Sequence, residues 1–244
     1  APNPAMRLAQ LLASMKDKNG TITIKDFYKD VVPLTAAELK ALNEVPDVEE
    51  LLKKELGINK PDGGGKKYLQ LLSLPTLNIN GIQSANVGAQ AANIIPTVAS
   101  AVIDLRLVKG NDVDRQIKKV VDHIKMQGYF VTDKEPTEEE RAKYPVIAQV
   151  RKIGNGYNAQ RTPMNLPVAQ DVIKAIQKTS PDKMVLLPSL GGSLPLYMFE
   201  TILKAQPITL TMVNYDNNQH AENENLQLRF LWEGIESVAA VMKF

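Results

Sequence analysis

Two histidines and no cysteine leave few side chains in this 244-residue chain that could bind a transition metal or act as a general base. His220 lies in NYDNNQHAENENLQL, between an apolar segment and the last predicted helix. Polar residues that follow a strand often line the ligand-binding edge of an α/β sheet, and a neutral imidazole is a competent zinc ligand. The residues alone leave two interpretations of His220 open: a metal ligand, or a loop histidine satisfied by local hydrogen bonds.

The other histidine, His123, lies inside the helical pattern DVDRQIKKVVDHIKMQG. The apolar residues of this segment recur at helical spacing, and Gly128 is suited to end the helix. The helical context favours a surface or boundary position for His123 over a functional one.

The stretch GGSLP predicts a strand-to-helix turn. Gly192 would let the backbone approach a ligand, Ser193 would cap the following helix, and Pro195 would occupy its first turn. The free N–H groups of such a helix could receive an anion such as a substrate carboxylate. A plain capped turn explains the same residues, and such turns are common.

Arg106 lies in an otherwise apolar strand pattern, and Asn93 flanks the other end of that pattern. A guanidinium in this setting needs a carboxylate partner or an anionic ligand. Asp104, two residues earlier, offers the alternative of an internal salt bridge. Signatures of a serine nucleophile elbow, a dinucleotide-binding loop or a phosphate-binding loop do not occur in the sequence.

Residues 1–160 combine helical patterns with alternating strand patterns. The strand patterns are PTLNINGIQ, TVASAVIDLRLV and PVIAQVRKI, and a polar helix-rich insertion occupies residues 17–67. The order helix, strand, strand, helix, strand is most of a ferredoxin-like sandwich of four strands and two helices. The remaining strand would have to precede residue 1.

From residue 161 onward, strand patterns alternate with helices, which is typical of an α/β layer with a parallel sheet. DKMVLLPSL and ITLTMVNY are the predicted strands, and NLQLRFLWEGIESVAAVMKF is the predicted final helix. Residues 161–244 are too few for a complete doubly wound domain of about 100–150 residues. An incomplete α/β domain is therefore expected here.

Composition and charge narrow the possible partners. Hydrophobic residues make up 44% and charged residues 23% of the chain, which is ordinary for a globular protein with a sizeable core. A net charge of +2 with interspersed signs argues against nucleic acid and anionic membranes as partners. No apolar run in the sequence approaches the length of a membrane span.

Several stretches together resemble the zinc-dependent aminoacylase, carnosinase and succinyl-diaminopimelate desuccinylase group of peptidases, and especially its bacterial dipeptidases. They are PTLNINGIQ, NIIPTVASAVIDLRLVKG, QRTPMNLP, LPSLGGSLPLYMFE and YDNNQHAENENLQLRFLWEGIE. The resemblance implies a catalytic α/β domain that holds two zinc ions, with an inserted four-stranded lid that also forms the dimer interface. Residues 1–160 would be the lid, and residues 161–244 the C-terminal portion of the catalytic domain.

The resemblance also implies roles for individual residues. His220 matches the last metal ligand of the family. Asn93 and Arg106 match lid residues that contact the carboxylate end of the substrate, and Gly192 with Ser193 matches a turn that binds substrate beside the metals. The general-base glutamate and the other metal ligands of the family have no counterpart in this sequence. Tyr215 departs from close relatives, which often have histidine at that position.

These matches imply a parent protein that hydrolyses a dipeptide or related amide, with two zinc ions polarising the carbonyl and activating water. The chain by itself is expected to be inactive and not to bind zinc stably. The expected partners are a small peptide substrate, a second copy bound through the lid, and an N-terminal fragment of the same protein. An N-acyl amino-acid deacylase, a carboxypeptidase and a non-enzymatic dimerisation or binding module are the alternatives.

Overall fold

The computed structural model describes residues 1–243, which form two compact units. The first unit contains residues 1–33 and 47–159, and the second contains residues 34–46 together with those from Gln160 onward. The helix-rich insertion expected at residues 17–67 is therefore divided between the two units. In the described part of the chain, no helix is both long enough and apolar enough to cross a membrane.

Helices and short strands alternate along the chain. The helices are α1 (Pro4–Ala13), α2 (Ala36–Glu44), α3 (Glu49–Leu56), α4 (Tyr68–Leu71), α5 (Val113–Met126), α6 (Glu138–Lys143), α7 (Pro167–Gln177), α8 (Tyr197–Thr201) and α9 (Leu228–Val241), with a single 3₁₀ turn at Gly88–Gln90. The strands are β1 (Thr76–Gln83), β2 (Ser100–Arg106), β3 (Phe130–Thr132) and β4 (Ile147–Gln149). The mixed α/β class predicted from the sequence is confirmed.

Local sequence signals explain where several helices begin and end. The Thr35 side chain accepts a hydrogen bond from the Glu38 backbone N–H at 3.3 Å, and the Glu38 carboxylate accepts one from the Thr35 N–H at 2.7 Å. This is the capping box predicted at the start of α2. Helix α3 ends at Gly57, which takes the left-handed conformation (φ +66°) that glycine adopts without steric cost.

The sheets are smaller than expected. Strands β1 and β2 pair antiparallel, and β3 and β4 pair in parallel, so the described residues contain two two-stranded sheets and no single four-stranded one. Strand β3 was not predicted, because three residues are too few to show an alternating pattern. A one-residue bulge at Asn80 interrupts the β1–β2 pairing between Ile79 and Gly81.

Two predicted strands do not form. The predicted strands DKMVLLPSL (182–190) and ITLTMVNY (208–215) lie outside any sheet within the described residues. Their apolar, β-branched patterns suit a buried strand, but a strand exists only when a neighbour pairs with its backbone. The described residues supply no such neighbour, so the prediction of strands here was wrong for this chain.

The core of the first unit lies where α1 and α5 pack against both sheets. Its buried residues are Leu11, Leu12, Met15, Ile22, Ile24, Phe27, Leu77, Val120 and Ile124. Gln116 of α5 is also fully buried, and its amide donates a 3.0 Å hydrogen bond to the Phe27 carbonyl. This bond satisfies a polar group inside the core and ties α5 to the segment that follows α1.

His123 belongs to the same buried face of α5, with 6% of its surface exposed. The surface or boundary position predicted for it is therefore wrong. Its Nε2 lies 2.8 Å from the hydroxyl of Ser14, directly after α1. Burial lowers the pKa of His123 below its ordinary value of 6.5, because the charged imidazolium is disfavoured away from water.

Acid should destabilise the first unit through His123. Because the pKa of His123 is lowered in the folded state, the unfolded chain binds the proton more tightly than the folded chain does. Above about pH 6.5 this histidine therefore does not affect the free energy of unfolding. Below that pH it lowers the free energy of unfolding, and the effect grows as the pH falls. Urea unfolding between pH 5.5 and 7.5 should show a midpoint that falls with acidification. The change should be smaller in His123→Gln and unaltered in Gln219→Ala, an exposed change that removes no titratable group. Equal pH dependence in all three proteins would contradict this assignment.

The second unit is held by helix packing and by one buried ion pair. Helix α7 packs against α9 and buries Ala169, Val172 and Ala175. The Arg161 Nε lies 3.3 Å from a carboxylate oxygen of Glu38, and both side chains are almost completely buried. The pair joins α2 to the segment that leads into α7, so residues 34–46 are fixed to the second unit by charge as well as by contact.

Removing one partner of this buried pair should destabilise the second unit. Arg161→Met leaves the Glu38 carboxylate buried without its counter-charge, which typically costs about 3–5 kcal/mol. Urea unfolding followed by the fluorescence of Trp232, the only tryptophan, reports on this unit. The double variant Glu38→Gln with Arg161→Met should recover much of the loss, since glutamine also completes a capping box. A single variant as stable as the wild type would show that the pair contributes nothing.

Candidate functional site

His220 is carried by a loop that connects the apolar segment 208–213 to α9. Asn214, with 3% of its surface exposed, has a buried side chain that connects the two ends of this loop. Its Nδ2 donates to Asp216 Oδ1 at 2.7 Å and to Asn225 Oδ1 at 3.1 Å. Its Oδ1 accepts from the Gln227 N–H at 3.0 Å. One buried amide thus holds the beginning and the end of the loop together.

A second buried asparagine supports the tip of the loop. Asn217 accepts from the Asn225 N–H through its carbonyl at 2.9 Å and from the Gln219 N–H through its side chain at 3.2 Å. These contacts organise the backbone on both sides of His220. The imidazole itself is exposed at the tip.

The loop backbone is unusual at three positions. Asn218, His220 and Asn223 have φ values of 54°, 66° and 61°, in the left-handed region that most L-residues avoid. Asparagine and histidine enter this region more readily than most residues, but the conformation still costs free energy. The buried asparagines supply the hydrogen bonds that stabilise this arrangement.

The described residues do not by themselves fit a metal ion. Within residues 1–243, no three histidine, aspartate or glutamate side chains gather where they could hold one. A structural zinc site needs four protein ligands and a catalytic one usually three. Within residues 1–243, His220 therefore does not belong to a group of three such side chains.

The GGSLP turn differs from its prediction. Helix α8 begins at Tyr197 with Leu196 as its cap residue, so Ser193 is not the cap and Pro195 is not in the first turn. The Pro195 carbonyl accepts a hydrogen bond from the Met198 N–H at 3.2 Å, in a turn that leads directly into α8. Gly192 and Ser193 lie exposed in the irregular segment before this turn. A five-residue helix also has little dipole to offer an anion.

Arg106 makes the internal salt bridge that the sequence offered as an alternative. Its Nε lies 2.7 Å from Asp104 Oδ2, and more than half of the arginine side chain is exposed. Asn93 is exposed in the connection between β1 and β2. Asn93 precedes β2 in the chain, whereas Arg106 is the last residue of β2.

The two asparagines that hold the loop, Asn214 and Asn217, were not predicted from the sequence. A signal was present, since five asparagines occur within NYDNNQHAENEN. Asparagine side chains hydrogen-bond to nearby backbone and tolerate the left-handed conformation, so such density indicates a structured loop.

The sequence of the chain matches the profile of a known protein family over more than half of its length. The profile of the M20 peptidase dimerisation domain matches residues 1–129, just over half of the 244 residues. The chain belongs to the M20 peptidase family. The family resemblance seen in the sequence motifs is confirmed.

M20 relatives of established activity match almost the whole chain. A Cys-Gly metallodipeptidase of Saccharomyces cerevisiae is 25% identical over 99% of this chain and 48% of its own length. The beta-Ala-His dipeptidase of Homo sapiens is 24% identical over 97% of this chain and 45% of its own length. The chain spans about half the length of the curated relatives it matches.

Solved M20 structures match the fold. A metallo-carboxypeptidase from Sulfolobus solfataricus superposes with a TM-score of 0.76 at 25% identity, over 100% of this chain and 52% of its own. Human carnosine dipeptidase 1 gives a TM-score of 0.67 at 21% identity, over 98% of this chain and 49% of its own. These matches show that the chain has the fold of about half of an M20 peptidase.

Removing the Asn214 amide should loosen the His220 loop. Asn214→Ala deletes three hydrogen bonds and leaves the Gln227 N–H without its acceptor, which typically costs about 1–3 kcal/mol. Hydrogen–deuterium exchange should become faster for residues 214–227 and stay unchanged in α5. Gln219→Ala, an exposed change in the same loop, is the matched control and should leave exchange unaltered. Unchanged protection in Asn214→Ala would mean that the loop is held by other contacts.

Proposed function

We propose that the parent protein of this chain is a metal-dependent peptidase that hydrolyses dipeptides at a dinuclear zinc site, and that the chain supplies the C-terminal half. The observation that carries the proposal is the His220 loop, where an exposed imidazole lies on a backbone fixed by buried asparagines. M20 relatives that match nearly the whole chain are metallodipeptidases, which supports the same chemistry.

His220 is proposed as one zinc ligand. A single imidazole is too few ligands for a stable site, and the described residues gather no metal-binding cluster. The remaining ligands and the general base would come from the half of the parent protein outside this sequence. The chain alone is accordingly proposed to be inactive and to bind zinc poorly.

Arg106, Asn93 and the Gly192–Ser193 turn are proposed to bind the substrate. The Asp104 salt bridge fixes the orientation of the Arg106 guanidinium, whose planar N–H donors suit a substrate carboxylate. Asn93, in the connection that precedes β2, is proposed to contact the same carboxylate end of the substrate. Gly192 and Ser193 lie in an exposed segment that could approach a peptide.

The family match supports the proposed domain roles. Residues 1–160 are proposed as the lid and dimerisation domain, because the dimerisation-domain profile covers residues 1–129. Residues 161–244 are proposed as the C-terminal portion of the catalytic domain. The proposed partners are a small peptide substrate and a second copy of the chain bound through the lid.

A carboxypeptidase is the second candidate. The metallo-carboxypeptidase from Sulfolobus solfataricus superposes more closely, with a TM-score of 0.76 against 0.67 for the human dipeptidase. The two activities differ in their need for a free amino end on the substrate. Hydrolysis of alanyl-alanine but not of N-acetyl-alanyl-alanine would identify a dipeptidase, and hydrolysis of the blocked peptide would identify a carboxypeptidase.

Activity should require the longer parent protein and His220. With zinc supplied, the parent protein should release alanine from alanyl-alanine, and this chain alone should release none. His220→Ala in the parent should lower turnover at least ~100-fold and reduce bound zinc, because loss of a ligand weakens the site more than loss of its supporting contacts. Amino-acid release and metal analysis by mass spectrometry measure the two effects, with Gln219→Ala as the neighbouring control. Turnover by this chain in the absence of any other polypeptide would sink the proposal.

A further inference from the structure

Three asparagines of the chain are followed directly by glycine: Asn19, Asn80 and Asn155. In water, the backbone nitrogen of such a glycine can attack the side-chain carbonyl carbon of the asparagine. Glycine favours this reaction because it has no Cβ that would shield its nitrogen or restrict its backbone conformation. The reaction requires that the glycine backbone can turn toward the asparagine side chain, so the fold decides which of the three dipeptides reacts.

Two of the dipeptides are held by hydrogen-bonded structure. The Gly20 N–H, directly after the first asparagine, donates to the Asp17 carbonyl at 3.0 Å in a tight turn. Asn80 occupies the bulge of β1, and the pairing with β2 resumes at Gly81, opposite Val102. In both places the backbone would have to give up existing contacts before the glycine nitrogen could reach the side chain.

The third dipeptide has no such restraint. Asn155 and Gly156 are exposed and lie outside any helix or strand in the segment that follows β4. Within the described residues, neither of them makes a hydrogen bond. Gly154 and Gly156 have φ values of 68° and 59°, in a region that glycine enters without steric cost. The Gly156 nitrogen therefore has no competing partner and lies directly beside the Asn155 side chain in the chain.

The same segment supports the beginning of α5. Asn158 Oδ1 accepts a hydrogen bond from the Val113 N–H at 3.0 Å, and Lys152 Nζ lies 2.7 Å from an Asp114 carboxylate oxygen. A Cβ at Gly156 would lie 3.2 Å from the Val113 side chain, so this backbone lies against the first turn of α5. The first N–H groups of a helix need acceptors from outside the helix, and this segment supplies one of them.

We propose that Asn155 is a site of spontaneous covalent modification, and that its conversion to isoaspartate releases the hydrogen bond by which Asn158 caps α5. In the first step the Gly156 nitrogen forms a bond to Asn155 Cγ and loses its proton, while the Cγ–Nδ2 bond breaks and ammonia leaves. Water then opens the resulting succinimide ring at one of its two C–N bonds. Opening at the side-chain carbonyl gives aspartate, and opening at the backbone carbonyl gives isoaspartate.

Isoaspartate changes the backbone as well as the charge. The main chain then runs through Cβ and Cγ of residue 155, which adds one carbon atom to the segment between β4 and Asn158. Because Gly156 lies in contact with Val113, the added atom displaces Asn158 from the Val113 N–H. The chain thus carries a time-dependent change that weakens the first turn of its central helix, and this change does not depend on the proposed hydrolysis.

Ageing of the freshly purified chain at mildly alkaline pH tests the site. Trypsin releases residues 153–161 as one peptide, which carries Asn155. Mass spectrometry with electron-transfer fragmentation separates asparagine, aspartate and isoaspartate in this peptide. Conversion of Asn155 should be at least several-fold faster than conversion of Asn19 or Asn80 in the same digest. In a urea-unfolded sample the three rates should approach one another, because only the fold protects the other two dipeptides.

The Val113 amide reports the effect on α5. Its hydrogen exchange, followed by NMR, should become about fivefold faster in the aged chain, because a lost cap weakens the first turn of a helix. Asn155→Gln would have to close a less favourable six-membered ring and should keep its slow exchange through the same ageing. Freshly prepared Asn155→Asp carries the new charge without the added backbone carbon and should keep it as well.

Three results would overturn the proposal. The first is conversion of Asn19 or Asn80 ahead of Asn155 in the folded chain. The second is a fully converted chain in which the Val113 amide exchanges as slowly as in the fresh protein. The third is an Asn155→Asp variant that loosens the Val113 amide as much as ageing does, since the charge would then suffice without the longer backbone.

Discussion

Burial of the inner face of α5 is the interaction on which the first unit depends. This face meets α1 and both small sheets, and neither sheet of two strands would be stable without such a layer. Gln116 and His123 lie on it beside Val120 and Ile124, so the core is partly polar and each polar group needs its partner. The strand that ends at Arg106 is held in place through this packing, because Ala101, Ile103 and Leu105 pack against the core.

The second unit has no sheet within the described residues, and buried polar interactions stabilise its arrangement instead. The buried Glu38–Arg161 pair attaches α2, and the amide of Asn214 closes the loop before α9. Buried polar groups of this kind specify one arrangement strongly, since each unmade bond is costly. They preserve the His220 loop even though the strand segments beside it have no neighbours within the described residues.

Much of the fold could be predicted from the sequence, and the failures have physical causes. The capping box at Thr35, the helix α5 and the final helix α9 follow from local signals that do not depend on distant residues. Strand β3 is too short to show a period, and segments 183–190 and 208–213 need partners that local sequence does not reveal. The burial of His123 was not predicted from the sequence, because a polar residue type on a helix normally indicates an exposed position.

For the candidate site, the sequence located His220 on a loop before the last helix, and motif resemblance identified its family. The sequence offered a salt bridge between Arg106 and Asp104 as one of two alternatives, and it could not choose between them because an exposed salt bridge depends on side-chain geometry. The left-handed backbone at His220 has a further consequence for protein engineering. Glycine would suit a φ of 66° better than histidine, so selection for thermal stability alone would favour losing the imidazole. A variant stabilised in this way would lose the imidazole that is proposed as a metal ligand.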